Sequence, residues 1–207
     1  LLLAALFGRL LFAPEMKLSG SFTPRQPPLQ DTLLGTTALG QSVAIQLTEA
    51  IPNSILVGLI AATVGTLLGA LIGFTAGYFG GWVDSVLRIL IDVFLSVPSL
   101  LFLILIAALV RNVNVITMAI IIGAFAWPSP ARQVRAQVLS LKERGFVQLA
   151  VLSGMGGMEI IVRELIPHMA QWLGANFVNA FIAAVLAESG LSILGLGPQR
   201  QMTLGMM

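Results

Sequence analysis

Ser54-Ile-Leu-Val-Gly-Leu-Ile-Ala-Ala-Thr-Val-Gly-Thr-Leu-Leu-Gly-Ala-Leu-Ile-Gly-Phe-Thr-Ala-Gly77 contains no ionisable side chain. A helix crossing a hydrocarbon layer of ~30 Å needs about 20 mostly apolar residues, so this stretch is long enough to span a membrane. The charge-free window around it runs from 50 to 83, and three more follow at 93–110, 112–131 and 165–187, with a short one at 1–8. Across the 207 residues, 57% are apolar and only 10% are charged. A soluble domain carries about a quarter charged residues, and disorder requires low hydrophobicity with high charge. The sequence therefore predicts an all-α, polytopic membrane helical bundle.

The remaining composition excludes several function classes. Eleven basic residues against nine acidic ones leave a net charge of +2, too little for a nucleic-acid-binding surface. Without cysteine there are no disulfides, thiolate metal sites or cysteine nucleophiles. The single histidine, His168, rules out paired-histidine metal motifs, and no G-x-S-x-G turn occurs. Lys17 follows Met16 and Lys142 follows Leu141, so there is no G-K-S/T phosphate loop. The expectation is a chain with no catalytic or metal site and no cofactor bound by the chain itself. Any ATP-driven work would fall to a partner.

Cytoplasmic loops of membrane proteins collect Lys and Arg. The densest basic segment (Arg132, Arg135, Lys142, Arg144 and Arg163) lies between the last two long windows. Placing 131–165 in the cytoplasm fixes the rest by alternation. The expected organisation is one transmembrane domain over 1–207 with about five spans: the end of a truncated first span at 1–12, then spans at 54–77, 86–110, 113–130 and 168–190. Segments 13–50 and 191–207 fall outside, and 131–167 forms a cytoplasmic loop. Leu1–Phe12 has the length of a signal-peptide core, but Arg9 sits inside it and no small-residue cleavage site follows. Pro14, Pro24, Pro27 and Pro28 favour extended chain and turns in the outer segment.

Within the spans, Ala61, Gly65, Gly69, Gly73 and Gly77 recur every four residues, a ridge of small side chains that admits another helix closely. That helix belongs either to the same chain or to a partner subunit. Pro98 predicts a kink in the third span, and Trp127-Pro128-Ser129-Pro130 a bend in the fourth. Asp84, Arg88 and Asp92 lie four apart and read as a neutralised ladder with an Asp84–Arg88 pair, with a proton or ion relay as the other reading. Asn176 and Asn179 face a pathway or make interhelical hydrogen bonds. Glu188, near the outer end of the fifth span, is expected to reach water or cap the following turn. His168 reads as an interfacial polar residue.

The cytoplasmic loop has helical spacing of Val134, Val138 and Leu141, an apolar helix at about 146–153 stopped by Gly154, and a short helix at about 158–165 ended by Pro167. A helix–glycine-turn–helix unit of mixed apolar and charged character predicts docking of a soluble protein. The alternative is an amphipathic loop lying on the bilayer.

Several segments together resemble one family. Phe146-Val-Gln-Leu-Ala-Val-Leu-Ser-Gly154 followed by Ile160-Ile-Val-Arg-Glu-Leu-Ile-Pro167 resembles the EAA loop of binding-protein-dependent ABC importer permeases. Ala150, Gly154 and Pro167 hold that signature's places, with Ile166 for its Leu. Leu34-Gly-Thr, Leu39-Gly40, Ala76-Gly-Tyr-Phe-Gly-Gly-Trp-Val-Asp84, Ala131-Arg-Gln-Val-Arg-Ala-Gln-Val-Leu-Ser140 and Glu188-Ser-Gly-Leu-Ser-Ile-Leu-Gly-Leu-Gly197 narrow the resemblance to the dipeptide, oligopeptide and nickel type, C-type membrane subunit. The family's leading Glu is Gln148 here and the next Ala is Leu149, which implies weaker, less salt-sensitive docking. Thr37, Gln41 and Ser42 replace charged positions of the outer motif, and the five spans expected within 1–207 stop short of the sixth that the resemblance implies.

The resemblance implies a pore-forming subunit in the bacterial cytoplasmic (inner) membrane, working by alternating access with peptides or related small solutes as cargo. Its partners would be a homologous permease subunit, two cytoplasmic ABC ATPases that use ATP and Mg, an extracytoplasmic substrate-binding protein and the lipid bilayer. Gln148, Leu149, Ala150, Leu152, Gly154, Ile166 and Pro167 would form the ATPase-coupling loop. A secondary transporter, a non-transporting membrane scaffold and an intramembrane enzyme are the competing functions. The first needs acids or broken helices at mid-membrane, and the last needs paired catalytic residues at membrane depth.

Overall fold

The computed structural model describes residues 20–30, 32–110, 113–198 and 201–207. The expected first span at 1–12 and the start of the outer segment lie outside the described residues. Eight α-helices follow: α1 (Val43–Phe79), α2 (Gly81–Ser96), α3 (Ser99–Leu109), α4 (Val115–Ala126), α5 (Pro128–Lys142), α6 (Gly145–Leu152), α7 (Gly157–Ile160) and α8 (Ile166–Ile193). No strand occurs among the described residues. Val43–Phe79 and Gly157–Ile193 are each long and apolar enough to cross a membrane, and the bent pairs α2–α3 and α4–α5 raise the number of crossings to four if each is one span.

Helix α1 organises the bundle through its small-residue ridge. A Cβ on Gly65 would stand 2.8 Å from the Ala126 Cβ, one on Gly69 2.6 Å from the Pro130 Cβ, one on Gly73 2.6 Å from the Val134 Cβ and one on Gly77 2.8 Å from the Val138 Cβ. The partners Ala126, Pro130, Val134 and Val138 are themselves four apart, so two i,i+4 rows mesh along their length. Higher up, the Ala61 Cα would lie 3.1 Å from a Cβ on Gly123. The ridge therefore packs against α4 and α5 of its own chain. Lipid offers no hydrophobic drive between helices, so this close van der Waals fit is what holds the pair.

Two helix joints follow from proline. Val97, the residue before Pro98, is extended (φ −104°, ψ 131°), as Pro sterics demand. The chain turns there by 76° between α2 and α3, and by 40° between α4 and α5 at Trp127-Pro128. The expected kink at Pro98 is thus a full break.

Three expectations are corrected. Regular helix begins at Val43, inside the segment read as irregular outer chain, because Ile45 and Ala50 already bury against the bundle. Pro167 does not end a helix: it occupies the first turn of α8, where its missing N–H is tolerated, and a π-turn over Ile161–Leu165 carries the chain from α7 into α8 without interruption. Asp84 does not pair with Arg88. Its carboxylate receives both Nε and Nη2 of Arg135 on α5, the latter at 2.6 Å, and Asp92 receives Arg132 at 2.6 Å. The Arg135 guanidinium thus reaches across the helices and grips one carboxylate with two charge-assisted bonds.

Glu188 supplies a fourth correction. It is fully buried (0% exposed) and accepts hydrogen bonds from Ser54 of α1 at 3.2 Å, from Ser192 at 2.8 Å and from Thr203. Leu204 N donates to Ser54 Oγ at 3.0 Å and Asn53 Nδ2 to the Met202 carbonyl at 2.7 Å. A buried carboxylate without hydrogen bonds is very costly, so the hydroxyls draw α1, α8 and residues 201–207 together around it.

Candidate functional site

Two regions gather candidate functional side chains: the short helices on the basic side of the bundle, and a cavity between the helix breaks. Helix α6 has only eight residues, far below the length at which a helix is stable alone. It is held by Val147 and Ala150, 1% and 7% exposed, which enter an apolar cluster with Phe74 of α1, Val134 and Val138 of α5, and Leu165 and Met169 beside and within α8. The opposite face is open: Leu149 is 66% and Leu152 83% exposed, and Gln148 is exposed with a long 3.4 Å contact from Nε2 to the Glu143 carbonyl. Ile166 and Pro167 are also exposed, across the π-turn.

Gly154 ends α6 in a left-handed conformation, φ +78°. Its N–H donates to the Val151 carbonyl at 3.0 Å and the next N–H, of Met155, to the Ala150 carbonyl at 3.2 Å. That is the double-bonded C-terminal motif that favours glycine. A Cβ here would meet nothing within 4 Å, so the demand for glycine comes from the backbone angle rather than from crowding. The Lys142 ammonium donates to the Tyr78 carbonyl at 2.8 Å, a cation at the last turn of α1. Hydrogen bonding from Arg135, followed by its charge, holds the Asp84 carboxyl below the usual carboxylate range against the opposing effect of burial.

The cavity of about 490 Å³ opens where both proline breaks meet α8. Ser99 follows the first break, Ser129 and Gln133 follow the second, and Asn176 and Asn179 come from α8. No ionisable side chain is among its lining residues. Asn176 Nδ2 bonds to the Trp172 carbonyl of its own helix at 3.0 Å, not to a neighbouring helix. The structure thus brings Asn176 and Asn179 to one wall, whereas Gln148, Leu149, Leu152 and Gly154 gather on the loop. The expected ridge residues Ala61, Gly65, Gly69, Gly73 and Gly77 lie in the helix contact described above. Sequence reading missed Ser99, Ser129 and Gln133, although Ser99 and Ser129 directly follow the span-breaking prolines and Gln133 lies about one turn further on.

Bent apolar helix pairs around a neutral cavity, with an exposed short helix on the basic side, are the arrangement of a multi-pass membrane protein. Residues 65–207 match the family described as the inner membrane component of binding-protein-dependent transport systems, and the chain belongs to that family. It is similar to the oligopeptide transport system permease protein OppC of Mycobacterium bovis (36% identity, 84% of this chain, 60% of the relative). OppC of Escherichia coli K12 is 39% identical over 82% of this chain and 56% of its own length. The dipeptide transport system permease protein DppC of Lactococcus lactis is 32% identical over 83% and 50%. The chain thus spans between half and three-fifths of the length of these relatives.

Proposed function

We infer that the chain is a pore-forming subunit of a peptide importer whose transport is driven by ATPase partners docking on α6. The observation that carries this reading is the two-sidedness of α6: Val147 and Ala150 are embedded among α1, α5 and α8, while Leu149 and Leu152 point outward. A soluble protein seated on those leucines can move the helices beneath them. Peptide cargo follows from the relatives' names. Neutral amides and hydroxyls at the cavity are the groups expected to face it, since exposed polar side chains at membrane depth belong beside water or protein rather than lipid.

In this mechanism 131–165 lies in the cytoplasm. A homologous permease subunit completes the pathway, and an extracytoplasmic binding protein delivers the substrate. ATP and Mg are bound by the ATPases. Their closure on ATP displaces α6, and the pivot at Gly154 with the π-turn passes the displacement to α8 and so alternates access. The test is peptide uptake into proteoliposomes holding the full-length subunit and its partners, with and without the ATPases. Uptake that requires ATPases and ATP supports the reading; uptake driven by an ion gradient alone would replace it with secondary transport.

A further inference from the structure

Phe146 and His168 stack face to face, with ring centroids 4.2 Å apart and planes inclined by only 11°. Phe146 is the second residue of α6, and His168 lies in the first turn of α8 directly after Pro167. The imidazole is held from a second direction, its Nδ1 lying 2.8 Å from the Glu164 carbonyl oxygen. That contact is a hydrogen bond when Nδ1 carries the proton and donates. Both the position and the plane of the ring are therefore set, although His168 itself is solvent-exposed.

The other attachments of α6 to α8 are apolar: Val147 and Ala150 share a cluster with Leu165 and Met169. Hydrophobic burial is non-directional, so such a contact resists separation more than it resists rolling or sliding. Two stacked rings add a preferred face and orientation. Along α8, Asn176 and Asn179 lie eight and eleven residues beyond His168, about two and three turns on and roughly 12–16 Å along the axis. Both line the cavity.

We propose that the Phe146–His168 stack is a strut that makes α8 follow α6, so that His168 is a positioning residue for coupling. The proposal rests on the reading of α6 as the ATPase-docking helix. Because His168 is exposed and the buried cluster does not include it, its replacement leaves the core intact.

The test uses the assembled transporter in proteoliposomes and measures peptide taken up per ATP hydrolysed, together with the amount of ATPase that co-purifies. His168→Ala and His168→Leu are expected to lower the uptake ratio roughly three- to tenfold, the range of an aromatic pair interaction, with normal ATPase retention. His168→Phe, which keeps a ring against Phe146 but loses the Nδ1 bond, is expected to stay within about twofold of the wild type. An unchanged ratio in His168→Ala, or a Leu variant as good as the Phe variant, would overturn the strut. So would a loss of ATPase retention confined to the Ala and Leu variants, since the stack would then serve docking. A wild-type chain that retains no ATPase would refute the docking reading and the strut with it.

Discussion

The two ends of α8 are held in different ways. At one end Glu188 is buried and gathers hydroxyls from Ser54, Ser192 and Thr203, so short directional bonds tie α8 to α1 and to residues 201–207. At the other end the helix begins in a π-turn, is preceded by the left-handed Gly154, and contacts α6 through an apolar cluster and one exposed ring stack. π-turns within helices are frequent at functional sites. A buried polar network is rigid when every member is satisfied, whereas apolar contacts with permissive backbone leave room for displacement. The contrast marks the Glu188 end as the anchor; under the proposed function, the α6 end is the part that answers a partner.

Breaking the anchor should have the largest effect. Glu188→Ala leaves three buried hydroxyls short of an acceptor, and each such loss costs about 1–3 kcal/mol. A marked fall in the thermal unfolding temperature of the detergent-solubilised protein is expected, with Glu188→Gln closer to wild type. An Ala variant as stable as wild type would remove the anchor. Next comes Gly73→Leu, whose side chain would enter the space of Val134, where even a Cβ would lie 2.6 Å from the valine Cβ. Overpacking of this kind costs about 1–3 kcal/mol and should appear in the same unfolding assay.

The Asp84–Arg135 pair sits between the two extremes, directional but only partly buried. Because the folded state lowers the Asp84 pKa, the pair's contribution is fully present above the ordinary carboxylate value. It is lost as pH falls through the lowered folded value. The stability difference between wild type and Asp84→Asn should therefore be constant near neutrality and shrink below about pH 4. A difference that grows on acidification would contradict this assignment. The smallest stability effect is expected for Gly154→Val, about 1 kcal/mol or more of backbone strain with no steric clash. Its uptake per ATP should fall while insertion into the membrane is unchanged.

Much of this was legible from local spacing. The i,i+4 glycines predicted a close helix contact, and Gly154 predicted the end of α6, because both depend on residues near one another in the chain. Contacts between distant residues were not. Asp84 has a local partner at helical spacing in Arg88, yet its carboxylate is held by Arg135, 51 residues away. Glu188 has the position of an acid that reaches water or caps a turn, but Ser54, 134 residues earlier, bonds to it in the core. Pro167 has the sequence look of a helix stop, but it falls in the first turn of α8, where a missing donor is tolerated. His168 gave no sign in sequence that it would stack on Phe146.

Under the proposed function, the exposed leucines of α6 are the surface on which an ATPase docks. That contact is measured by the amount of ATPase that co-purifies with wild type and with the double variant Leu149→Asp, Leu152→Asp. Val147 and Ala150 would still seat the helix in both forms. Stoichiometric retention by wild type and loss by the variant, at equal membrane insertion, is the predicted result; equal retention by both would contradict the account.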